Sequence, residues 1–485
     1  RPLHTQQKVL DRLVARAGYT KYGKQFGLPQ VKKAADYKKA LPVVRYDDLK
    51  PYIRRMMDGE ADVLVPGTVM NYSKSSGTTS DVSKFIPVPA QNRVRNHIKG
   101  SWDNLALFYR KQPKAQLFQR KSLLIAGSIS KYENNPKVRI GDISALLAYH
   151  IPPVGRPFFA PDVPTAILAD WNEKLYKITR ATAYEDMAMI GGVPTWLVVL
   201  CQKILEYTGK KNMLEVWPNL QAYFHGGVGF GPYKEQFRKL IPSDNFIYQE
   251  IYNASEGFFA VQDQLHEPGM MLFINNAIYY EFVPEGHWEN PDPPVLDVSE
   301  IELNKPYAIL ISSNNGLMRY MVGDVVQFTS LSPLRLEITG RIKHFINVFG
   351  EEVMVHNTDQ AIAEACQEFG AHVSDYSVAP IYLSGAQRGG HEWLIEFETA
   401  PVNMVAFANY LDQRLRAANS DYNAKRTDDI ALQTLKLTTL PVGSFHKWLD
   451  QKRKLGAQTK VPRLCNDRRY VDEILDLVFQ KSISS

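Results

Sequence analysis

Four separated stretches of this chain carry residue types that could hold an anion, a metal ion or a counter-charge. The first is Ser75-Ser76-Gly77-Thr78-Thr79-Ser80, with Lys84 close behind. Five of these six residues carry a hydroxyl and the other is glycine. Such a loop can turn tightly and offer N–H and O–H donors to an anion. An ordinary Ser/Thr-rich surface turn has the same composition. The second stretch, Tyr252-Asn253-Ala254-Ser255-Glu256, puts a carboxylate directly after the strand-like run Phe246 to Tyr252. Ligand-facing groups collect at the C-terminal ends of strands in α/β proteins. Glu256 therefore reads either as a metal ligand or as a structural or solvated acid. The third, Arg319-Tyr320-Met321-Val322-Gly323-Asp324, places an acid after glycine in a strand-like context, with a turn aspartate as the alternative. The fourth is a basic segment, Pro441 to Tyr470. It holds Lys447, Lys452, Arg453, Lys454, Lys460, Arg463, Arg468 and Arg469 against only Asp450 and Asp467. Its plain reading is a solvated basic helix, Phe445 to Leu455, capped by Ser444 and stopped by Gly456.

Several familiar patterns fail on inspection. The glycine-rich His225-Gly226-Gly227-Val228-Gly229-Phe230-Gly231 has Pro232 where a dinucleotide fingerprint needs its last glycine. Ser75 to Lys84 lacks the G-K-[ST] ending of a Walker loop. Asn253 replaces the first glycine of a hydrolase elbow around Ser255. His266-Glu267 has no second histidine at zincin spacing.

The elements that must position these stretches follow from periodicity. Residues 5–18 and 46–58 read as amphipathic helices, and 89–110 as a helix with Trp102, Leu105 and Phe108 on one face. Residues 162–180 and 194–208 are helical in pattern, and Lys121 to Ile129 is a short buried strand. The apolar run Met187 to Cys201 reads as a buried core helix. It is broken by Gly191-Gly192 and Pro194, and is shorter than the ~18 residues a membrane span needs. Met271 to Val283, Tyr307 to Ser312, Arg319 to Phe328 and Leu334 to Thr339 alternate like antiparallel strands. Beyond Gly340 the order becomes β-α-β-β-α-β: strands 343–348, 373–383, 392–398 and 430–438, with helices 357–369 and 404–418. That is the split-βαβ arrangement of a small α+β domain. The expected division is therefore 1–340 and 341–485, in an α/β chain whose large N-terminal part mixes sheets and helices.

At 485 residues with 45% hydrophobic content, the chain can bury large cores. A net charge of +6 over this length does not argue for nucleic acid, and the basic segment lacks aromatic interleaving beyond Trp448 and Tyr470. Three scattered cysteines show neither metal spacing nor a disulfide framework, which suits a reducing cytosol. No secretory pattern is visible at the start, which is Arg1.

Taken in order, these stretches resemble the acyl-adenylate-forming superfamily, and within it the Gretchen Hagen family of acyl acid amido synthetases, in its bacterial branch. The family's S-S-G-T-S-x-G-x-x-K loop is met by Ser75 to Lys84, its Y-x-x-S-E motif by Tyr252, Ser255 and Glu256, and its Y-R-x-G-D-like motif by residues 319–324. Gly340-Arg341 with Asn347 and Gly350 resembles the hinge motif. Thr459-Lys460-Val461-Pro462-Arg463 resembles the late K-V-P-R segment. One departure is Asp81 or Val82 at the loop's second glycine, which implies that the outer loop engages phosphate less than in relatives.

The resemblance implies ATP-dependent adenylation of a carboxylic acid, followed by attack of an amino acid's amine to give an amide, AMP and pyrophosphate. Ser75, Ser76, Gly77, Thr78 and Thr79 would hold the phosphates, and Glu256 would hold Mg²⁺ and act in catalysis. Tyr252, Ala254 and Ser255 would lie at the nucleotide, Asp324 would take the ribose hydroxyls, and Gly226, Gly227 and Val228 would lie under the adenine. Arg341 would support the ribose or hinge. Lys460 is the favoured adenylation lysine, because Val461-Pro462 extends the adjoining backbone. Lys447 is its rival, or a pyrophosphate contact. The small domain would carry the lysine by hinge rotation. A cytoplasmic monomer or weak dimer, with no membrane or nucleic-acid partner, completes the expectation. Two rivals remain: a ligase that passes the acyl group to a thiol of coenzyme A or a carrier protein, and a nucleotide- or acyl-binding protein without catalysis.

Overall fold

The computed structural model describes residues 2–75, 84–227, 230–265, 267–342, 345–346, 353–381, 389–419, 422–423, 426, 432–452, 461–465 and 468–479. The chain forms two compact units. One comprises Arg1–Val228, Phe237–Glu337 and Gly456–Gln458; the other comprises Gly229–Gln236, Ile338–Leu455 and Thr459–Ser485.

The strands in chain order are β1 (Asn71–Ser75), β2 (Lys84–Pro87), β3 (Lys121–Leu123), β4 (Ile129–Tyr132), β5 (Asn135–Gly141), β6 (Phe159–Ala160), β7 (Met187–Gly192), β8 (Ala222–His225), β9 (Ile247–Ala254), β10 (Gly257–Val261), β11 (Met270–Leu272), β12 (Ile278–Pro284), β13 (Pro306–Ser313), β14 (Tyr320–Leu331), β15 (Leu334–Arg341), β16 (Phe345–Ile346), β17 (Val353–Met354), β18 (His372–Ile381), β19 (Gly390–Thr399) and β20 (Lys436–Leu440). The large unit is built on one sheet of eleven strands in the order β12-β13-β14-β15-β11-β10-β9-β8-β7-β3-β6. Strand β9 divides it. On one side β9, β8, β7, β3 and β6 run parallel. On the other, β9 turns back antiparallel into β10. A smaller sheet, β2-β1-β5-β4, carries β1 between an antiparallel and a parallel neighbour. The main core gathers the apolar face of the helix Pro2–Ala17 (Val9, Leu10, Leu13) with Tyr280, Phe282, Ile309 and Tyr320 of the antiparallel strands.

The mixed architecture follows the sequence pattern, but several elements differ. Met271 to Val283 is two strands, β11 and β12, at separate places in the sheet, and 162–180 is two helices, Val163–Ala166 and Trp171–Thr182. Met187 to Cys201 is not one helix. Met187–Gly192 is a buried parallel strand, and the helix Pro194–Thr208 starts with proline in its first turn, where a missing N–H costs nothing. An apolar run does not separate a two-sided buried strand from a buried helix. The strand at Lys121 stops at Leu123; just beyond it, Lys174 Nζ donates to the carbonyls of Ala126 and Gly127 at 2.9 Å each. The helix expected at 89–110 contains a wider π turn, Arg93–Ile98, and leaves Trp102 exposed rather than packed with Phe108.

The small unit has the expected order of helices Val355–Phe369 and Met404–Ala418 between strands. Its sheet is β18-β19-β20, with β19 and β20 parallel neighbours joined through the second helix. Strand β16 pairs with β17 instead of entering that sheet, so the crossover is a plain βαβ rather than a split one. The last strand lies at Lys436–Leu440, later than the 430–438 expected; residues 430 and 431 lie outside the described residues. No helix among the described residues is long and apolar enough to cross a membrane.

Candidate active site

The first candidate stretch begins on the stem of a hairpin. Ser75 lies directly opposite Lys84 across β1 and β2, and Ser76, Gly77, Thr78 and Thr79, with the departure at Asp81-Val82, lie outside the described residues. The stem is firmly held. Phe85 N donates to Tyr46 Oη at 2.8 Å, and the Lys84 ammonium sits 6.0 Å from the Tyr46 ring centroid. Ser73 lies mid-strand in β1, which is paired on both sides. Its buried Oγ donates to Ser255 Oγ at 2.9 Å. That bond joins the first stretch to the second.

Ser255 and Glu256 form the two-residue reversal between β9 and β10, closed by the Ala254–Gly257 pair. Glycine at 257 is set by packing, since a Cβ there would meet Ile278 Cδ1 at 2.7 Å. Glu256 is 6% exposed. A buried carboxylate is costly without compensation, and a network of side-chain amides holds its turn. Asn315 Nδ2 donates to the Glu256 carbonyl at 3.1 Å. Phe258 N donates to Asn96 Oδ1 at 2.8 Å, and Asn276 Nδ2 donates to the carbonyls of Phe258 (3.0 Å) and Asn96 (3.2 Å). Asn96 lies on the π turn, a local widening that often marks functional sites. Next to it, His97 Nδ1 lies 3.1 Å from Asn253 Oδ1, and burial pushes its imidazole down to about 4, so the ring is neutral at pH 7.

The third stretch meets the second through its aspartate. Asp324 lies within β14, not in a turn, and is buried. The strand bulges there: Met321 pairs with Leu310 and Val325 with Ala308, leaving three residues of β14 opposite one of β13. Gly323 takes φ +98° in that bulge, a conformation side chains resist. The irregularity aims Asp324 so that its Oδ2 accepts from Tyr252 Oη at 2.5 Å. Arg319 has a different role. Its buried guanidinium pairs with Glu281 (3.2 Å) and donates to the carbonyls of Lys38 (3.1 Å) and Leu41 (2.6 Å), so it ties helix ends to the sheet.

The glycines after β8 run beside β9. A Cβ on Gly226 would sit 2.4 Å from the Ile251 carbonyl oxygen, and Gly227 adopts φ +84°. Position 226 demands glycine because a Cβ would strike β9, and position 227 favours it through its backbone conformation. Val228 lies outside the described residues. The preceding His225 is buried, and burial pushes its imidazole down to about 3.

The remaining residues belong to the small unit. Arg341 is exposed at the end of β15. Lys447 is exposed on the helix Ser444–Gln451. That helix is capped not by Ser444 but by the Glu396 carboxylate, which accepts from Gly443 N (2.7 Å) and Phe445 N (3.1 Å). A carboxylate at this end also meets the positive end of the helix dipole. Lys460 lies outside the described residues; Val461 to Cys465, which follow it, are described.

Within the large unit, then, hydrogen bonds link the loop stem, the Glu256 turn and the Asp324 bulge. Pattern reasoning missed Ser73, Asn96, Asn276, Asn315 and His97. The only trace of them is the density of asparagine around Asn314-Asn315 and Asn275-Asn276, residues that commonly signal turns. Among the described residues, no group of three or more His, Cys, Asp or Glu is arranged to hold a metal ion unaided.

The architecture is that of ligases solved with an acyl-adenylate. The crystal structure of 2-hydroxyisobutyryl-CoA ligase in the postadenylation state matches with a TM-score of 0.63, 13% identity, and coverage of 100% of this chain and 92% of that one. A GH3.15 acyl acid amido synthetase matches with a TM-score of 0.80 at 18% identity, over 98% and 93% of the two chains. The sequence narrows this class. The GH3 family N-terminal domain matches residues 1–246, its central domain 271–341 and its C-terminal domain 356–469; the chain belongs to the GH3 family. Among curated relatives, indole-3-acetic acid-amido synthetase GH3.3 of Arabidopsis thaliana is 23% identical, over 97% of this chain and 90% of its own length. Jasmonoyl-L-amino acid synthetase JAR4 of Nicotiana attenuata is 21% identical, over 94% and 90%. The 4-substituted benzoates-glutamate ligase GH3.12 of Arabidopsis thaliana is 20% identical, over 99% and 96%.

Proposed function

We propose that this chain is an acyl acid amido synthetase. It activates a carboxylic acid with ATP to an acyl-adenylate and passes the acyl group to the amine of an amino acid. The observation that carries the reading is the pair of hydrogen bonds, Ser73 to Ser255 and Tyr252 to Asp324, that gathers the three candidate stretches in one unit. Membership of the GH3 family supports it, as do the synthetase and ligase names of the relatives.

Transfer of a nucleotidyl group is chiefly positioning and charge stabilisation. In this reading Ser75, Ser76, Gly77, Thr78 and Thr79 offer N–H and O–H donors to the β- and γ-phosphates. Gly226, Gly227 and Val228 present bare backbone to the adenine, beside Tyr252, Ala254 and Ser255. Asp324 accepts from the ribose hydroxyls, which suits an acceptor-only carboxylate, and Tyr252 holds it in place. Glu256 fits Mg²⁺, because a buried carboxylate in a hydroxyl-lined turn is a hard oxygen donor. The ion would neutralise charge on the phosphates when bound. Lys460 supplies the positive charge that stabilises the transition state, with Lys447 the alternative. A mobile small domain, divided from 1–340 at Arg341, carries that lysine. We place the protein in the bacterial branch of the family, and in the cytoplasm as a monomer or weak dimer.

Product analysis tests the chemistry. The purified protein is supplied with ATP, Mg²⁺ and a panel of carboxylic acids, with amino acids or coenzyme A as acceptor. An amide together with AMP supports the reading. A thioester formed only with coenzyme A replaces it with the thiol ligase.

A further inference from the structure

Arg463, three residues beyond Lys460, is a cation of the small unit that is held on several sides. Its Nη1 pairs with Asp375 Oδ1 at 2.5 Å, and its guanidinium lies 4.3 Å from the centroid of the Tyr376 ring. Its Nη2 donates to Tyr233 Oη at 2.8 Å. Burial lowers the guanidinium's pKa; Asp375, Tyr233, Tyr376 and Asp359 together outweigh that and hold the charge on. The platform is itself braced. Tyr376 stacks on Trp393 at 5.4 Å, and its Oη donates to Asp359 Oδ1 at 2.6 Å.

The backbone around Arg463 is fixed as closely as its side chain. Val378 N donates to the Arg463 carbonyl at 2.8 Å, and Cys465 N donates to the Val378 carbonyl at 3.0 Å. Ser377 Oγ donates to the Pro462 carbonyl at 2.7 Å. Residues 462–465 thus lie along β18 like a short added strand, and Val461 is buried in the adjoining cluster. Pro462 restricts its own φ and disfavours helix at Val461. Lys460 is joined to this block through two residues, a span of about 10 Å at most between the Cα atoms of 460 and 463.

We propose that Arg463 is a positioning residue for the adenylation lysine. It locks the 461–465 segment onto β18 and so sets the point from which Lys460 departs. Tyr233 extends the lock to the helical turn Gly231–Tyr233, which belongs to the same unit. Lysine would not replace arginine fully, since it lacks the planar fork that pairs, stacks and donates at once. The proposal rests on the reading of Lys460 as the adenylation lysine.

The test measures ATP–pyrophosphate exchange in full-length Arg463→Met, Arg463→Lys, Tyr233→Phe and Lys460→Ala, with thermal melting and ATP binding for each. Misplacing a reacting group by about 1 Å costs on the order of 100-fold. Arg463→Met is therefore expected to lower kcat about 30- to 100-fold with KM for ATP within about threefold. Arg463→Lys should recover part of the rate, and Tyr233→Phe, which removes only a hydroxyl, should lose about three- to tenfold. A fall in kcat, with KM for ATP and the melting temperature both held and the rate partly rescued in Arg463→Lys, is what a merely structural role would not produce. Loss of exchange in Lys460→Ala with wild-type kcat in folded Arg463→Lys and Tyr233→Phe overturns the proposal and leaves the lysine assignment standing. Wild-type exchange in Lys460→Ala overturns the lysine assignment, and this proposal with it.

Discussion

Replacing Tyr252 with phenylalanine removes one oxygen from a buried site. The hydroxyl donates to Asp324 Oδ2 over 2.5 Å, and Tyr252 and Asp324 are only 5% and 3% exposed. Solvent can do little to replace the lost donor. A hydrogen bond to a charged acceptor contributes about 1.5–3 kcal/mol. If Asp324 holds the ribose in the orientation that Tyr252 imposes, Tyr252→Phe should raise KM for ATP about 10- to 150-fold at 1.4 kcal/mol per factor of ten. KM for the carboxylic acid should move far less. The assay is pyrophosphate exchange with ATP varied at saturating acid, run as a cycle with Asp324→Asn and the double variant. The two single losses should overlap strongly, because each breaks the same bond. An unchanged KM for ATP in folded Tyr252→Phe, or strictly additive losses, would refute the reasoning and make the pair structural.

Three further outcomes follow from the geometry. Gly226→Ala places a Cβ 2.4 Å from the Ile251 carbonyl oxygen, against 3.4 Å for ordinary contact; a retreat of about 1 Å should cost on the order of 100-fold in exchange rate, and a rate within twofold would dissociate this loop from the nucleotide. Glu256→Gln keeps the shape but halves the oxygen donors, so calorimetry should show at least about tenfold weaker Mg²⁺-dependent ATP binding, whereas unchanged binding would return Glu256 to a structural role. Burial, with Glu337 adding to it, pushes Glu250 up to about 7, above its ordinary 4.5. Its folded-state pKa is the higher one, so stability is fully present below about pH 4.5 and falls as pH rises through 7, by about 3 kcal/mol at ~1.4 kcal/mol per pKa unit. Glu250→Gln should therefore melt higher than wild type at pH 8 and show little gain at pH 5; equal melting temperatures at pH 8 would contradict this.

The parts of the candidate site that the sequence suggests are those whose chemistry is local. Hydroxyls around Gly77, a carboxylate after the 246–252 strand, and an acid after Gly323 are each contained in a few adjacent residues. Strand alternation between Met271 and Phe328 likewise marks the antiparallel half of the sheet. What escaped was set by distant partners. The bulge that turns Asp324 toward Tyr252 is a mismatch between β13 and β14, visible only once both are paired. Asn96, Asn276 and Asn315 look like turn residues until the Glu256 hairpin is folded against them. Ser444 looks like a helix cap, yet Glu396, from a strand 48 positions earlier in sequence, performs that role. Met187–Gly192 is apolar on every side because it is buried on both faces of a parallel sheet, which erases the periodicity that would have separated strand from helix.

The central claim is that this chain activates a carboxylic acid as its adenylate. Pyrophosphate exchange into ATP, measured across benzoates, indole acids, fatty acids and amino acids, tests it most directly. The account predicts exchange that depends on at least one such acid and on Mg²⁺, and that disappears in Lys460→Ala while ATP still binds. Tight ATP binding with no acid-dependent exchange across the whole panel would contradict it and leave a nucleotide-binding protein without catalysis.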